Sequence, residues 1–401
     1  MDPVRNPYAP GAGQRPPELA GRDGELHSFE VLLERVARSR PERSVVLTGL
    51  RGVGKTVLLN AMRGAAVRRG WGTGKLEARP EQSLRHALAA ALHLAVRELA
   101  QPNRTEAEHV LGVVKAFAQR EPRTSTGRAP RLRERWQPGI DVPAVTGRAD
   151  SGDIEIDLVE LFTDVAGLAG DTGHGVAIFI DEMQDLGPED VSALCAACHE
   201  VSQQRLPLVV VGAGLPHLPT VLSASKSYSE RLFRYARIDR LDRAAADLAL
   251  RAPAREEGAD FDDDALAAMY AATGGYPYFV QAYGKVAWDV APRSPISSAD
   301  VAVAGPEAEA ELAVGFFGSR YERATPAERE YLRAMADVAE PAMADDAVPT
   351  AAVAESLARA PQSLSPARDG LMKKGLVYSG QRGRIAFTVP HFGRYLRQQE
   401  M

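Results

Sequence analysis

Gly49-Leu50-Arg51-Gly52-Val53-Gly54-Lys55-Thr56 lies between an apolar run at residues 44–48 and a segment whose Val57, Leu58, Leu59 and Met62 recur at helical spacing. The octet fits G-x-x-x-x-G-K-[ST] in the strand, loop, helix setting that the pattern requires. Its glycines let successive backbone N–H groups curl around phosphate oxygens, and the following helix adds the positive end of its dipole. Lys55 is then expected to reach the β- and γ-phosphates, with the Thr56 hydroxyl serving Mg²⁺. Gly49, Gly52, Val53, Gly54, Lys55, Thr56 and Val57 are accordingly expected to bind ATP with Mg²⁺. Lysine makes up only seven of the 48 basic residues, so a chance occurrence of the pattern is on the order of one in a hundred or less.

A magnesium triphosphate also needs a carboxylate at the end of a neighbouring buried strand. Residues 176–180 form an apolar run that ends at Asp181 and Glu182. Asp181 is the expected metal ligand, directly or through water, and Glu182 is placed to polarise an attacking water. Residues 208–211 form a further buried strand, residues 73–78 another, and residues 236–241 the last. Helical patterns at 25–37 and 81–100 alternate with them, which predicts an α/β fold with a mostly parallel sheet sandwiched by helices. Residues 101–152 hold Lys115 and several arginines among Pro and Gly, and read as an irregular, solvated insertion.

The composition bounds the function. The chain has 401 residues, 45% hydrophobic and 25% charged, which anticipates two or three globular domains. A net charge of −5 argues against a protein that is basic throughout, so any nucleic-acid contact must be regional. No run of about 18 apolar residues is present to span a bilayer, and residues 1–17 lack an apolar signal core. The expected location is the cytoplasm, with no membrane partner. Cys195-Ala196-Ala197-Cys198-His199 matches the haem-attachment pattern, but Leu194, Cys195 and Cys198 suit one apolar face of a helix, and haem is rejected.

Beyond residue 245 the pattern turns helical and acidic, with Asp260, Asp262, Asp263 and Asp264 at one helix start. Thr325-Pro326-Ala327-Glu328 combines an N-cap, a first-turn Pro and a capping-box Glu. Helices at 350–358 and 365–375 and a hairpin over 376–389 follow, and this arrangement predicts a winged helix. Residues 361–401 set seven basic residues against two acidic ones. Arg368, Lys373 and Lys374 on the third helix, with Arg382 and Arg384 on the wing, are candidate contacts to duplex DNA phosphates. The alternatives are a signalling ATPase whose winged helix binds protein, or a nucleotide binder that does not hydrolyse.

Four stretches resemble the AAA+ and STAND classes of P-loop ATPases, particularly origin-recognition-like ATPases of bacteria and archaea. They are Gly21-Arg22-Asp23-Gly24-Glu25-Leu26, the phosphate loop, the Asp181-Glu182 pair, and Thr273-Gly274-Gly275-Tyr276-Pro277-Tyr278. The resemblance implies a P-loop NTPase core with a helical lid, ATP hydrolysis, and a possible homo-oligomer or protein partner. It implies that Leu19, Gly21 and Arg22 lie near adenine and that Pro277 closes over the base or ribose. It also implies an arginine finger before the last strand, with Arg231 the first choice and Arg234 the second. Two departures stand out: residues 208–214 carry no polar sensor, and the lid motif lacks its usual arginine, leaving Lys285 as a distant substitute. Both favour slow turnover or a switch. The expected partition is an irregular leader (1–20), a core (21–245), a lid (246–320) and a winged helix (321–401).

Overall fold

The computed structural model describes residues 1–80, 82–99, 104–120, 141–339, 347–389 and 391–398. The chain opens with helix α1 (Asp23–Ala37), whose Phe29, Leu32, Leu33 and Val36 face inward. Strand β1 (Ser44–Thr48) leads through the phosphate loop into α2 (Lys55–Arg68). Strand β2 (Gly72–Glu77) and helices α3 (Leu84–Leu99), α4 (Arg104–Gln119) and α5 (Ile154–Asp171) precede β3 (Val176–Asp181). Helix α6 (Pro188–Gln203), β4 (Leu208–Gly214), α7 (Leu218–Ser225), α8 (Ser229–Leu232) and β5 (Phe233–Arg237) complete the sheet layer.

The five strands pair in parallel in the order β2-β3-β4-β1-β5. β1, β3 and β4 are buried at every position, as strands covered by helices on both faces must be. The order places β4 between β1 and β3, so the loops leaving β1 and β3 flank the end of β4. That geometry builds the site.

Three expectations need correction. The 101–152 stretch is not wholly irregular, because residues 104–119 form α4, with Val110, Val113, Val114 and Phe117 buried. Its helical period was masked by the arginine-rich residues that follow. Arg123, Arg128, Arg131, Arg133 and Arg135 lie outside the described residues. The last strand is Phe233–Arg237 rather than 236–241, so Arg234 belongs to the strand itself. The first lid helix starts at Arg243, where Asp242 caps it through the Ala245 amide. The leader is irregular for most of its length, as expected, and it is anchored to the lid: Asn6 Nδ2 reaches Asp289 at 2.8 Å, and buried Tyr8 donates to the Leu250 carbonyl at 2.5 Å.

Helices α9 (Arg243–Glu256), α10 (Asp263–Thr273), α11 (Pro277–Val290) and α12 (Ser298–Leu312) follow the sheet. A π-helical turn at Ala313–Gly318 leads into α13 (Ser319–Glu322) and α14 (Pro326–Val338), which has the expected capping box. β6 (Val348–Pro349), α15 (Thr350–Ser356), α16 (Ser365–Lys373), β7 (Val377–Tyr378), β8 (Arg384–Phe387) and α17 (Phe392–Gln398) end the chain. β6, β8 and β7 form a small antiparallel sheet. Cys195 and Cys198 are buried free thiols on α6, as the apolar-face reading expects.

Arg85 on α3 and Asp157 on α5 form a buried ion pair at 2.8 Å, with side chains 2% and 0% exposed. Arg85 also donates to the Phe117 carbonyl of α4, which ties three helices together. Without Arg85 the Asp157 carboxylate keeps the hydrogen bonds from Ser151 and Gly152 but loses its balancing cation. Arg85→Ala should therefore lower unfolding stability by about 3–5 kcal/mol in a urea titration, and adding Asp157→Leu should not restore it, because the Ser151 and Gly152 N–H groups then lose their carboxylate acceptor.

Candidate functional site

The phosphate loop leaves β1 and turns back on itself at Gly52 and Gly54, whose φ values of +83° and +90° suit glycine and strain other residues. Gly49 is required for a different reason: a Cβ there would lie 2.2 Å from the Ile238 carbonyl oxygen. The N-terminus of α2 then points into a cavity of about 360 Å³, a volume ordinary for a small-ligand site. Leu19, Arg22, Gly52, Val53, Gly54, Lys55, Thr56, Val57, Asp181, Glu182 and Pro277 all line it, together with leader residues 9–14. Gly21 and Gly49 are not part of the lining.

Buried Lys55 donates to the Gly49 and Leu50 carbonyls at 2.9 and 2.7 Å. Burial lowers its ammonium to about 8, while Glu182 and Asp181 oppose the shift and Arg51 adds to it. Thr56 Oγ1 donates to Asp181 Oδ2 at 2.8 Å, bringing together from α2 and β3 the hydroxyl and carboxylate that suit a divalent cation. Arg22 is turned to structure: its guanidinium donates to the Val53 and Asp239 carbonyls and braces the loop.

Glu182 has a left-handed backbone, φ +48°. Its Oε1 accepts from Arg51 Nη1 at 2.8 Å and its Oε2 from Gln184 Nε2 at 2.6 Å. Neither partner was anticipated from the sequence, because Arg51 occupies a freely variable position of the loop pattern and Gln184 falls outside every motif. Arg51 also bonds across to the carboxy-terminal module, its backbone N–H donating to the Thr388 carbonyl at 2.9 Å. From the lid, the Tyr278 N–H donates to the Gly52 carbonyl at 3.2 Å.

An arginine does face the cavity from beyond α12. Arg320, just past the π-helical turn, lines the pocket and sits 4.3 Å over the Phe316 ring. Burial and then nearby Arg51 push its guanidinium down to about 10, so it stays cationic at neutral pH. Lys285, the distant substitute, instead pairs with Asp289 and Glu311 outside the lining. The sequence signal for Arg320 was weak, since it lies some forty residues beyond the lid motif.

The remaining predicted residues lie elsewhere. Arg231 is exposed on α8, Arg234 lies in β5, and neither lines the cavity. In the carboxy-terminal module Arg368 pairs with Asp369, Lys374 with Glu328 at 2.5 Å, and Arg384 donates to the Ala347 carbonyl. Lys373 and Arg382 are exposed and form no ion pair among the described residues. No described helix is long and apolar enough to cross a membrane.

Residues 18–211 match the family described as AAA ATPase domain, and residues 314–396 match a domain of unknown function (DUF8462). No curated protein matches the chain. Among solved structures, a Walker-type ATPase of Pyrococcus abyssi is 15% identical with a TM-score of 0.59, covering 96% of this chain and 97% of that one. At that identity the likeness speaks for the fold. The RuvB Holliday junction branch migration motor of Thermotoga maritima is 16% identical with a TM-score of 0.45, covering 96% and 99%. The Orc1 protein of Aeropyrum pernix, solved in complex with DNA, is 15% identical with a TM-score of 0.44, covering 96% and 94%.

The lowered Lys55 ammonium gives the cavity a definite pH response. Affinity for ATP with Mg²⁺ should be full below about pH 8 and fall by up to about tenfold per unit above it, as the cation is lost. Calorimetric titration from pH 6 to 10 measures this, and Lys55→Arg should remove the alkaline fall.

Proposed function

Because residues 18–211 belong to the AAA ATPase domain family of P-loop proteins, we propose that the chain is an ATP-driven switch that hydrolyses its nucleotide slowly and works on duplex DNA. ATP lies in the cavity between the sheet and the lid helices, its phosphates on the Gly52–Thr56 backbone and Lys55. The base lies toward Leu19, Arg22 and Pro277. Thr56 and Asp181 would hold Mg²⁺ together with the nucleotide, since no described cluster of three His, Cys, Asp or Glu residues could hold a metal ion alone. When bound, Mg²⁺ neutralises charge on the phosphates. Glu182 orients the attacking water and takes its proton, while Arg320 offers positive charge to the γ-phosphate from the lid side.

The observation that carries the switch reading is the bond from the Arg51 N–H to the Thr388 carbonyl. Arg51 belongs to the phosphate loop and its side chain holds Glu182, so a ligand that reorders the loop disturbs the seat of the carboxy-terminal module in the same movement. Such a coupling is a two-state element biased by a ligand. We assign that module as a winged helix, with α16 and the β7–β8 hairpin as its DNA-facing parts. Arg231 is exposed and outside the chain's own cavity, which supports a role only toward a second copy, where it would act as an arginine finger.

A second reading, a winged helix that binds protein, draws support from the internal bonds of Arg368, Lys374 and Arg384. These leave Lys373 and Arg382 as the exposed DNA candidates. Duplex binding measured across a salt series separates the readings. DNA contact predicts ATP-dependent affinity that falls steeply with salt, and a shallower salt slope when Lys373→Ala and Arg382→Ala are combined. Salt-insensitive or absent DNA binding by the ATP-loaded chain supports the protein partner. In the same preparation Glu182→Gln should retain ATP binding while lowering hydrolysis by about a hundredfold or more. Unchanged hydrolysis would remove Glu182 from the base role.

A further inference from the structure

β4 ends Gly212-Ala213-Gly214 and offers no polar side chain beside the γ-phosphate end of the site. The structure fills that space from another direction. A Cβ on Gly214 would lie 2.7 Å from Gln184 Oε1, and a Cβ on Gly212 would lie 2.5 Å from Met183 Sδ. The bare end of β4 therefore makes room for the turn that follows the Asp181-Glu182 pair.

Gln184 is fixed at both ends of its carboxamide. Its Oε1 accepts from the Leu215 N–H at 3.1 Å, just past β4, and its Nε2 donates to Glu182 Oε2 at 2.6 Å. A backbone N–H can only donate, so the amide oxygen must face Leu215 and the amide nitrogen must face Glu182. Rotating the amide by half a turn would set its NH₂ against the Leu215 donor and its oxygen against a carboxylate. The carboxylate is thus given one orientation by the end of β4 acting through Gln184. Each carboxylate oxygen accepts two hydrogen bonds, so Glu182 keeps a lone pair for a water.

We propose that Gln184 is a positioning residue for Glu182, supplying from the turn after β3 the polar group that β4 lacks. It aims the carboxylate without touching nucleotide. This inference rests on the reading of Glu182 as the group that activates water.

The test is steady-state ATP hydrolysis by the full chain with Mg²⁺, comparing wild type, Glu182→Gln, Gln184→Ala and Gln184→Ala combined with Gly214→Asn. Gln184→Ala should lower kcat by about tenfold or more and leave the KM for ATP within about twofold, because a misdirected base weakens the transition state and not nucleotide binding. The Gly214→Asn change places a polar side chain in the space vacated by Gln184, where its Cβ would also lie 2.7 Å from Leu218 Cδ2 and must displace the end of that side chain, and should restore part of the lost kcat. A merely structural Gln184 would not be rescued in this way. A kcat unchanged in Gln184→Ala, with Glu182→Gln inactive, overturns the positioning role and leaves the base standing. Hydrolysis undiminished in Glu182→Gln, or absent in wild type, overturns both. If Gln184→Ala unfolds, Gln184→Met keeps the volume and gives the same comparison.

Discussion

The backbone of the phosphate loop is the constraint on which the other parts depend. Its fold is set by glycines at positive φ, and its groups are then shared out among neighbours: Gly52 takes an N–H from the lid helix, and Arg51 gives its own N–H to the carboxy-terminal module. Lys55 satisfies two more carbonyls of the same turn from within. A loop that wraps phosphate with its N–H groups cannot be indifferent to the arrangement of its flanking bonds. The sheet, lid and small antiparallel sheet therefore meet at one turn of chain, and this convergence makes a nucleotide-driven change in module position physically economical.

The charge arrangement around Glu182 follows from the same convergence. Arg51 holds one oxygen and Gln184 the other, while Lys55 and Arg320 bring further positive charge to the cavity. Before nucleotide enters, acidic Asp181 and Glu182 balance part of that charge. In the proposed function a triphosphate would add negative charge to the same space and compete for Lys55 and the arginines. That competition would supply the differential contact between states without which a ligand shifts no equilibrium.

Much of this was legible in the sequence because it depends on local chemistry. The glycines of the loop, the apolar run before Asp181 and the capping box at Thr325 each specify their conformation over a few residues. What was not legible depends on pairs far apart in the chain. Arg51 and Thr388 are joined only by the docking of the last module, and Arg320 lines the cavity from just past the π-helical turn that follows α12. The glycines at 212 and 214 read in isolation as a missing sensor, and their meaning lies in what packs against them. Helix α4 was hidden by neighbouring arginines, and β5 begins three residues and ends four residues earlier than expected, which puts Arg234 inside the strand rather than before it.

The coupling between phosphate loop and carboxy-terminal module is open to a direct distance measurement. Spin labels introduced by Ser223→Cys on α7 and Ser379→Cys after β7 would both be exposed, while Cys195 and Cys198 are buried. Pulsed dipolar spectroscopy would give their separation without nucleotide and with ATP and Mg²⁺ bound. A nucleotide-driven switch predicts a changed distance distribution with ATP and no change in a Lys55→Ala background. An identical distribution in the ATP-loaded chain, with binding verified on the same sample, would contradict it.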